Sequence, residues 1–341
     1  MTVLVTGGAG YIGSQMVYEL VDAGERVVVL DNLSTGHRWA VAAGVPLVVG
    51  QTGDQALVSR IISEHGVEAI IHFAASLIVP DSVRDPLGYY RNNTVNSRAL
   101  IECVVQGGVR HFIFSSTAAV YGNPPTSPTG EDSPTLPISP YGWSKLMTEI
   151  MLRDAARAHG LRHVTLRYFN VAGADPRGRT GQSSVAATHL IKSRPRPHWG
   201  CGRNSRFSAP IIRPRTALAS AINIRVGDLA GAHLHALRYL RSGGPSLTLN
   251  CGYGHGFSVR EVIDTVKRVS GVDFKVENAP RREGDPARIV AAKRARARRP
   301  WLAAALRRSF ADCDRCARGG RQLLERFRRG DGRDPNHAEI A

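Results

Sequence analysis

No stretch of this 341-residue chain approaches the roughly 18 consecutive apolar residues that a bilayer-spanning helix needs. Met1 leads through Thr2-Val3-Leu4-Val5 directly into a glycine-rich loop, with no basic and apolar leader before it. A soluble, cytoplasmic chain without a membrane partner is expected. Cysteine is scarce, odd in number and scattered, at Cys103, Cys201, Cys251, Cys313 and Cys316. That excludes a disulfide framework and leaves reduced thiols. Cys313 and Cys316 have C-x-x-C spacing but no second pair, histidine pair or strand-helix redox setting, so no metal site is expected.

Acidic residues are also in deficit, 28 against 45 Lys and Arg, for a net charge of +17. Such a balance suggests a nucleic-acid partner only when it is spread over a binding face. Here residues 193–223 carry six arginines and no acid, and residues 291–341 carry fourteen basic against six acidic residues. These two segments hold 14 of the 17 excess charges, and the remainder is near balance. No nucleic-acid partner is expected.

The first 190 residues alternate apolar runs with helix-like segments, the pattern of a parallel α/β sheet. Strands are expected at Thr2–Val5, Arg26–Leu30, Leu47–Val49, Ala69–Phe73, His111–Phe114 and His163–Tyr168. Helices are expected at Ile12–Ala23, Gln55–Glu64, Tyr89–Gln106 and Tyr141–His159. The fold class is a doubly wound, Rossmann-like α/β sheet over residues 1–175, with a smaller α/β unit over 176–292. Past Lys192 the pattern stops. It returns as a helix at Asp228–Leu240, a strand at Ser246–Asn250, a helix at Ser258–Ser270 opened by a capping box of Ser258 and Glu261, and a short strand at Phe274–Val276.

The loop Gly7-Gly8-Ala9-Gly10-Tyr11-Ile12-Gly13 lies between a strand and a helix. Gly7 permits the tight turn, Gly10 the close approach of a pyrophosphate, and Gly13 the packing of helix on sheet. Asp31 ends the second strand at the spacing of a ribose-binding acid. A carboxylate there accepts from a 2′-hydroxyl and repels a 2′-phosphate, which favours NAD over NADP. The other reading of Asp31-Asn32 is a surface turn.

Tyr141 and Lys145 are four residues apart and share a helix face. A lysine cation and a positive nicotinamide ring would favour phenolate, making Tyr141 a base able to exchange a proton with a substrate hydroxyl. Ser115, Ser116 and Thr117 follow the fifth strand at the carboxyl edge, where ligands bind. Any one of the three hydroxyls suits a bond to the reacting oxygen.

Together Gly7 to Gly13, Ser115 to Gly122, Tyr141 to Lys145 and Arg167 to Asn170 resemble the extended short-chain dehydrogenase/reductase superfamily, and within it the UDP-glucose 4-epimerases. The likeness returns at Asn250 to Ser258 and Arg281 to Asp285. Such enzymes oxidise the sugar C4 hydroxyl with bound NAD, let the ketosugar rotate, and return the hydride to its other face. The resemblance implies catalytic roles for Tyr141, Lys145 and Thr117. It implies NAD contacts from Gly7, Gly10, Tyr11, Ile12, Gly13, Asp31, Asn32, Leu33, Ser34, Thr35, Gly36, Gln51, Thr52, Phe73, Ala74, Ala75, Ser76, Leu77, Asn92, Thr117, Tyr141, Lys145 and Phe169. It further implies UDP-galactose/UDP-glucose contacts from Thr117, Tyr141, Asn170, Arg282 and Asp285, and a homodimer through Tyr89–Gln106 and Tyr141–His159.

The sequence departs from that pattern at single positions and over whole segments. Gln51 replaces an acid, although an amide oxygen still accepts. Leu77 stands where some members have lysine. Residues Ala221 to Val226 replace a run R-D-Y-I-H-V, and the upstream arginine for the diphosphate is not recognisable. Residues 193–223 and the tail 293–341 are rich in the Arg, Pro, Ala and Gly that GC-rich codons yield out of frame. They read as frame-shifted segments, the first compensated near Ile224, or as an evolved basic insert and tail binding an anionic polymer. Three functions follow: a UDP-glucose or related nucleotide-sugar 4-epimerase; a dehydratase, which would need an acid and base where Ala118 and Ala119 stand; or a catalytically impaired NAD-binding protein, if the substrate unit is scrambled.

Overall fold

The computed structural model describes residues 1–168, 170–183, 220–222, 224–254 and 257–270, with 276, 290 and 292. In chain order the elements are β1 (Thr2–Thr6), α1 (Tyr11–Asp22), β2 (Arg26–Asp31), β3 (Leu47–Val49), α2 (Gln55–His65), β4 (Val67–His72), α3 (Val79–Arg84), α4 (Pro86–Tyr89), a π-helical segment Tyr90–Val95, α5 (Asn96–Gln106) and β5 (His111–Thr117). There follow a 3₁₀ turn Ala118–Tyr121, α6 (Pro140–His159), β6 (Arg162–Tyr168), β7 (Val171–Ala172), β8 (Ser220–Ile222), β9 (Ile224–Arg225), α7 (Val226–Arg241), β10 (Leu247–Cys251), β11 (Phe257–Ser258) and α8 (Val259–Ser270).

Seven strands form one parallel sheet in the order β10-β6-β5-β4-β1-β2-β3, the doubly wound arrangement expected. Its strands are apolar at successive positions because both faces are covered. Val3, Val5, Val29, Ile71, Ile113 and Leu166 point to α1 and α7 and pack on Met16, Val17, Leu20 and Leu237. Leu4, Val28, Leu30, Ile70, Phe112 and Phe114 point to the other face and meet Val58, Ile61, Leu100, Val104 and Leu152 of α2, α5 and α6. The period of two along each strand thus sorts the core into two layers.

Local chemistry sets the helix ends. Asp54 caps α2 by accepting from Leu57 N at 3.0 Å, and Gly66 closes it at φ 58°. Ser139 caps α6 with Pro140 in its first turn, and Gly160 ends it at φ 68°. At α8 the capping box forms, Ser258 N donating to Glu261 Oε2 at 2.7 Å and Glu261 N to Ser258 Oγ at 3.2 Å.

The structure differs from the sequence reading in two places. Tyr89–Gln106 is not one regular helix: Tyr90–Val95 widens into a π turn that brings Asn93 inward. Residues 226–251, placed by sequence with the second unit, supply α7 and the seventh strand of the first, because α7 buries Leu229, Ala236 and Leu237 against the sheet. Most of the expected strand Phe274–Val276, the segment 193–219, and the whole of the tail 293–341 lie outside the described residues.

Candidate active site

The glycine loop turns at Gly7, whose φ is 72° and whose missing Cβ would lie 2.7 Å from Ala74 N. The backbone of Phe73 and Ala74, at the end of β4, therefore presses directly against the loop. Gly13 is more constrained, since a Cβ there would meet Gly7 O at 2.1 Å. A Cβ on Gly10 would meet only Gly7 O, at 3.3 Å, and Gly10 has no side chain to cap the start of α1. The positive end of a twelve-residue helix is thus presented past a glycine, the setting in which a diphosphate binds.

Asp31 is buried at the end of β2, its Oδ2 accepting from Ala9 N at 2.9 Å and its Oδ1 from Leu33 N at 2.8 Å. Each oxygen retains a second lone pair for a ribose hydroxyl. The surface-turn reading fails here, because the carboxylate ties two loops together. Asn32 Oδ1 accepts from Ser34 N at 3.0 Å, and Leu33 is forced to φ 57°, a left-handed conformation that bulky residues rarely adopt. Such strain gathers where a loop is held for a ligand. The backbone at Gly36 lies so close to Ala9 that a Cβ would come within 2.7 Å, and His37 N donates to Ala9 O at 3.0 Å. The stretch Asn32 to Gly36 is thereby laced onto the glycine loop.

Gln51 is exposed and Thr52 buried beyond β3, where Gly50 N donates to Asp31 O at 3.1 Å. Ala74, Ala75 and Ser76 continue from β4, and Leu77 is exposed. Asn92 Nδ2 donates to Ser76 Oγ at 2.9 Å. Sequence reasoning missed its neighbour Asn93, which the π turn buries. Asn93 Oδ1 accepts from Ser76 N at 2.8 Å, and its Nδ2 donates to Ser76 O at 2.9 Å and to Ser144 Oγ at 3.0 Å. One amide so fixes the Ser76 loop to α6.

At the carboxyl edge of β5 the three adjacent hydroxyls part company. Ser115 is hydrogen-bonded to the Tyr168 hydroxyl, Ser116 donates to the Glu149 carboxylate, and Thr117 is the hydroxyl near enough to the Tyr141 phenol to lower its pKa. Thr117 Oγ1 also accepts from Ala119 N at 3.1 Å, which sets its rotamer. Of the three, Thr117 is therefore the hydroxyl that interacts with Tyr141. Ala118 and Ala119 bring no acid or base beside it, which disfavours dehydration.

Lys145 is buried, donates from Nζ to Ser115 O at 2.9 Å, and sits 4.9 Å above the Phe114 ring. Burial lowers its pKa to about 7, with the Glu149 carboxylate acting in the opposite sense. Burial pushes the Tyr141 phenol up, and Thr117 pulls the other way. Burial thus favours the protonated phenol, and a Lys145 cation together with the positive charge of a bound oxidised nicotinamide would favour phenolate. Beneath the pair, His72 bonds Thr6 Oγ1 at 2.6 Å and Ser97 Oγ at 2.9 Å, and burial lowers its pKa to about 3. Phe73 stacks at 4.8 Å on His233 of α7, so it is packed as well as facing the loop.

Asn170 is described and exposed just beyond β6. Phe169, Arg282 and Asp285 lie outside the described residues, as do Cys201, Cys313 and Cys316. The residues present fit a bound NAD: an anion cradle at Gly10, an acid fixed at Asp31, and a phenol, hydroxyl and ammonium at the sheet edge beside it.

Comparison with known proteins agrees with this geometry. Residues 3–252 match the profile of the NAD dependent epimerase/dehydratase family. The chain is 53% identical over 307 residues to a UDP-glucose 4-epimerase of Azospirillum brasilense, covering 88% of this chain and 86% of that one. With a UDP-glucose 4-epimerase of Streptomyces lividans the identity is 44%, covering 84% and 87%. Among solved structures, UDP-glucose 4-epimerase from Brucella ovis in complex with NAD superposes with a TM-score of 0.82 at 36% identity, covering 94% and 98%. The Bifidobacterium longum UDP-glucose 4-epimerase in complex with NAD+ and UDP gives 0.81 at 28% identity, covering 98% and 100%.

Proposed function

The chain belongs to the NAD dependent epimerase/dehydratase family, and from that membership and the site we propose that it is a UDP-glucose 4-epimerase, interconverting UDP-galactose and UDP-glucose. The observation that carries the choice within the family is Thr117 beside the Tyr141 phenol, with the two alanines Ala118 and Ala119 following it. That arrangement can take a proton from a hydroxyl and give it back, but supplies nothing to eliminate water.

NAD, when bound, accepts and returns the C4 hydride. The chain's own residues do the rest. Tyr141 takes the C4 hydroxyl proton and Thr117 shares that proton's hydrogen bond. Lys145 places a cation beside the phenol, where it stabilises the phenolate. Gly7, Gly10, Gly13, Asp31 and the loop to Gly36 hold the dinucleotide, with Phe73 to Leu77 and Asn92 beside it. Asn170, Arg282 and Asp285 are assigned to the nucleotide-sugar. No helix among the described residues is long and apolar enough to cross a membrane, in keeping with a cytoplasmic enzyme.

A homodimer is supported by an apolar stripe: Trp143, Met147 and Ile150 recur at helical spacing on α6 and are exposed, as is Val95 on the adjoining π turn. Light scattering at twice the chain mass is expected; a monomer at micromolar concentration would refute it. The activity itself is tested by incubating the purified chain with UDP-galactose. UDP-glucose should form without added nucleotide, and Tyr141→Phe should abolish it while NAD stays bound. Retained NAD with no turnover in the unaltered chain would favour the impaired NAD-binding reading.

A further inference from the structure

Tyr141, Lys145 and Glu149 occupy positions i, i+4 and i+8 of α6 and so share one face of the helix. The first two belong to the site described above. Glu149 belongs to a second constellation directly behind them. It is 7% exposed and accepts from Ser116 Oγ of β5 and from three donor contacts of Arg167 on β6, Nε at 3.0 and 3.2 Å and Nη2 at 2.5 Å. Arg167 Nη1 donates to Tyr121 Oη at 2.9 Å, and Tyr121 donates to Asn250 Oδ1 of β10 at 2.8 Å. Tyr121 ends the turn that begins at Thr117. The network thus joins the catalytic helix, the strand bearing Thr117, the turn after it and the last two strands of the sheet.

A buried ion pair is a poor stabiliser, because desolvation consumes most of its Coulombic attraction, and its best-attested use is to fix register. Glu149 and Arg167 line a cleft together with Leu146, Ile150, Arg153, Arg157 and His163. Stability alone does not account for a carboxylate and a guanidinium at this spot.

We propose that Glu149 is a positioning residue of the reaction proposed above: through Ser116 and Arg167 it holds α6 in register with β5 so that Tyr141 meets Thr117, and it sets a buried carboxylate one turn behind Lys145.

The electrostatic consequence follows from the spacing. Tyr141 and Lys145 compete for one proton, held either as phenol and amine or as phenolate and ammonium. Glu149 is about 6 Å along the helix axis from Lys145 and about 12 Å from Tyr141. Its charge stabilises the ammonium more than it opposes the phenolate, and so favours the reactive pair. The other groups facing Lys145 are His72 on β4, held neutral by burial, and the Ser115 carbonyl on β5. Tyr168 on β6, its own phenol raised by burial, interacts electrostatically with Tyr141, while Glu149 is paired with Arg167 on β6 and shares a cleft with Arg153 and Arg157 of α6.

The test is Glu149→Gln in the NAD-loaded protein, with Glu149→Asp and Ser116→Ala beside it. In Glu149→Gln the plateau of kcat with UDP-galactose should fall about tenfold, one pKa unit of bias, with KM unchanged within about twofold. The acid limb of the pH profile should move to lower pH, because Lys145 then surrenders the shared proton first. The tyrosinate absorbance at 295 nm that Tyr141→Phe removes should shrink in the same variant. Glu149→Asp, which keeps the charge, should leave the limb where the unaltered protein has it. Should Glu149→Gln not fold, Ser116→Ala, which leaves the Arg167 pair intact, should lower kcat without loss of NAD. A folded, NAD-loaded Glu149→Gln with an unchanged acid limb and unchanged tyrosinate signal would overturn the proposal. The absorbance measurement requires no turnover, so failure of the epimerase reading is seen separately.

Discussion

Gly13→Ala and Gly231→Ala make the same chemical change inside two helices of this sheet, and the structure assigns them opposite signs. A Cβ at Gly13 would lie 2.1 Å from Gly7 O, 2.8 Å from Gly7 C and 2.9 Å from Gly8 Cα, all backbone atoms of the turn that cradles the dinucleotide. Ordinary contact begins near 3.4 Å, so α1 and the loop must part by more than an ångström. Such overpacking against rigid backbone costs about 3 kcal/mol. Alanine returns about 1 kcal/mol of helix propensity, for a net loss of about 2 kcal/mol. At Gly231 in α7 nothing lies within 4 Å of the added carbon, so the same propensity gain stands alone at about 1 kcal/mol. Thermal unfolding followed by far-ultraviolet circular dichroism should place Gly13→Ala about 4 °C below the unaltered chain and Gly231→Ala about 2 °C above it. Nucleotide content should fall only in the former. A Gly13→Ala protein as stable as Gly231→Ala, with its nucleotide in place, would refute the close-approach argument for this loop.

Three buried histidines make stability depend on pH. Burial lowers His72 to about 3 and His163 and His233 to about 4, while an unfolded chain protonates them near 6.5. As pH falls below about 6.5 the unfolded state takes up protons that the folded state refuses. Stability is therefore full above that pH and is lost toward pH 4, by up to about 4 kcal/mol per pH unit for the three together. Urea midpoints at pH 7.0 and 5.5 measure this, and equal midpoints would contradict it. Thr117→Ala should lower kcat about tenfold or more at constant NAD content, since it removes the hydroxyl beside the Tyr141 phenol; unchanged kcat would shift the role to Ser115 or Ser116. We propose that residues 193–223 and 293–341 are out-of-frame translation. The encoding DNA, read in all three frames, should then show an epimerase-like segment opposite 193–223, whereas its absence, with salt-sensitive binding to DNA or acidic polysaccharide, would favour an evolved basic insert.

What was legible from sequence is what local rules control. The apolar runs located the first six strands and the seventh, because a doubly covered parallel sheet leaves no alternation to misread. The Ser258–Glu261 capping box was readable to the atom, since both partners lie within one turn. The π turn at Tyr90–Val95 was not, because its cause is tertiary: Asn93 is drawn in to serve Ser76 and Ser144, which are distant in sequence. Position explains the hydroxyls too. Three in a row are equivalent on paper, and only their opposite faces and the approach of α6 and β6 give Ser115, Ser116 and Thr117 different partners. The ionisation of the Tyr141–Lys145 pair is likewise not legible from sequence. The Tyr141–Lys145 spacing gives proximity, but burial, which raises the one and lowers the other, is a property of the packed molecule.

The central claim is that one hydrogen leaves C4 of the sugar and returns to it within the same site, while Tyr141 handles only the hydroxyl proton. Conversion of UDP-galactose in deuterated water tests this most directly. Product UDP-glucose should carry no deuterium on C4, because the migrating hydride never meets solvent. Deuterium at C4 would mean carbanion chemistry by solvent-exchanging groups, and would contradict the roles given to Tyr141, Lys145 and Thr117.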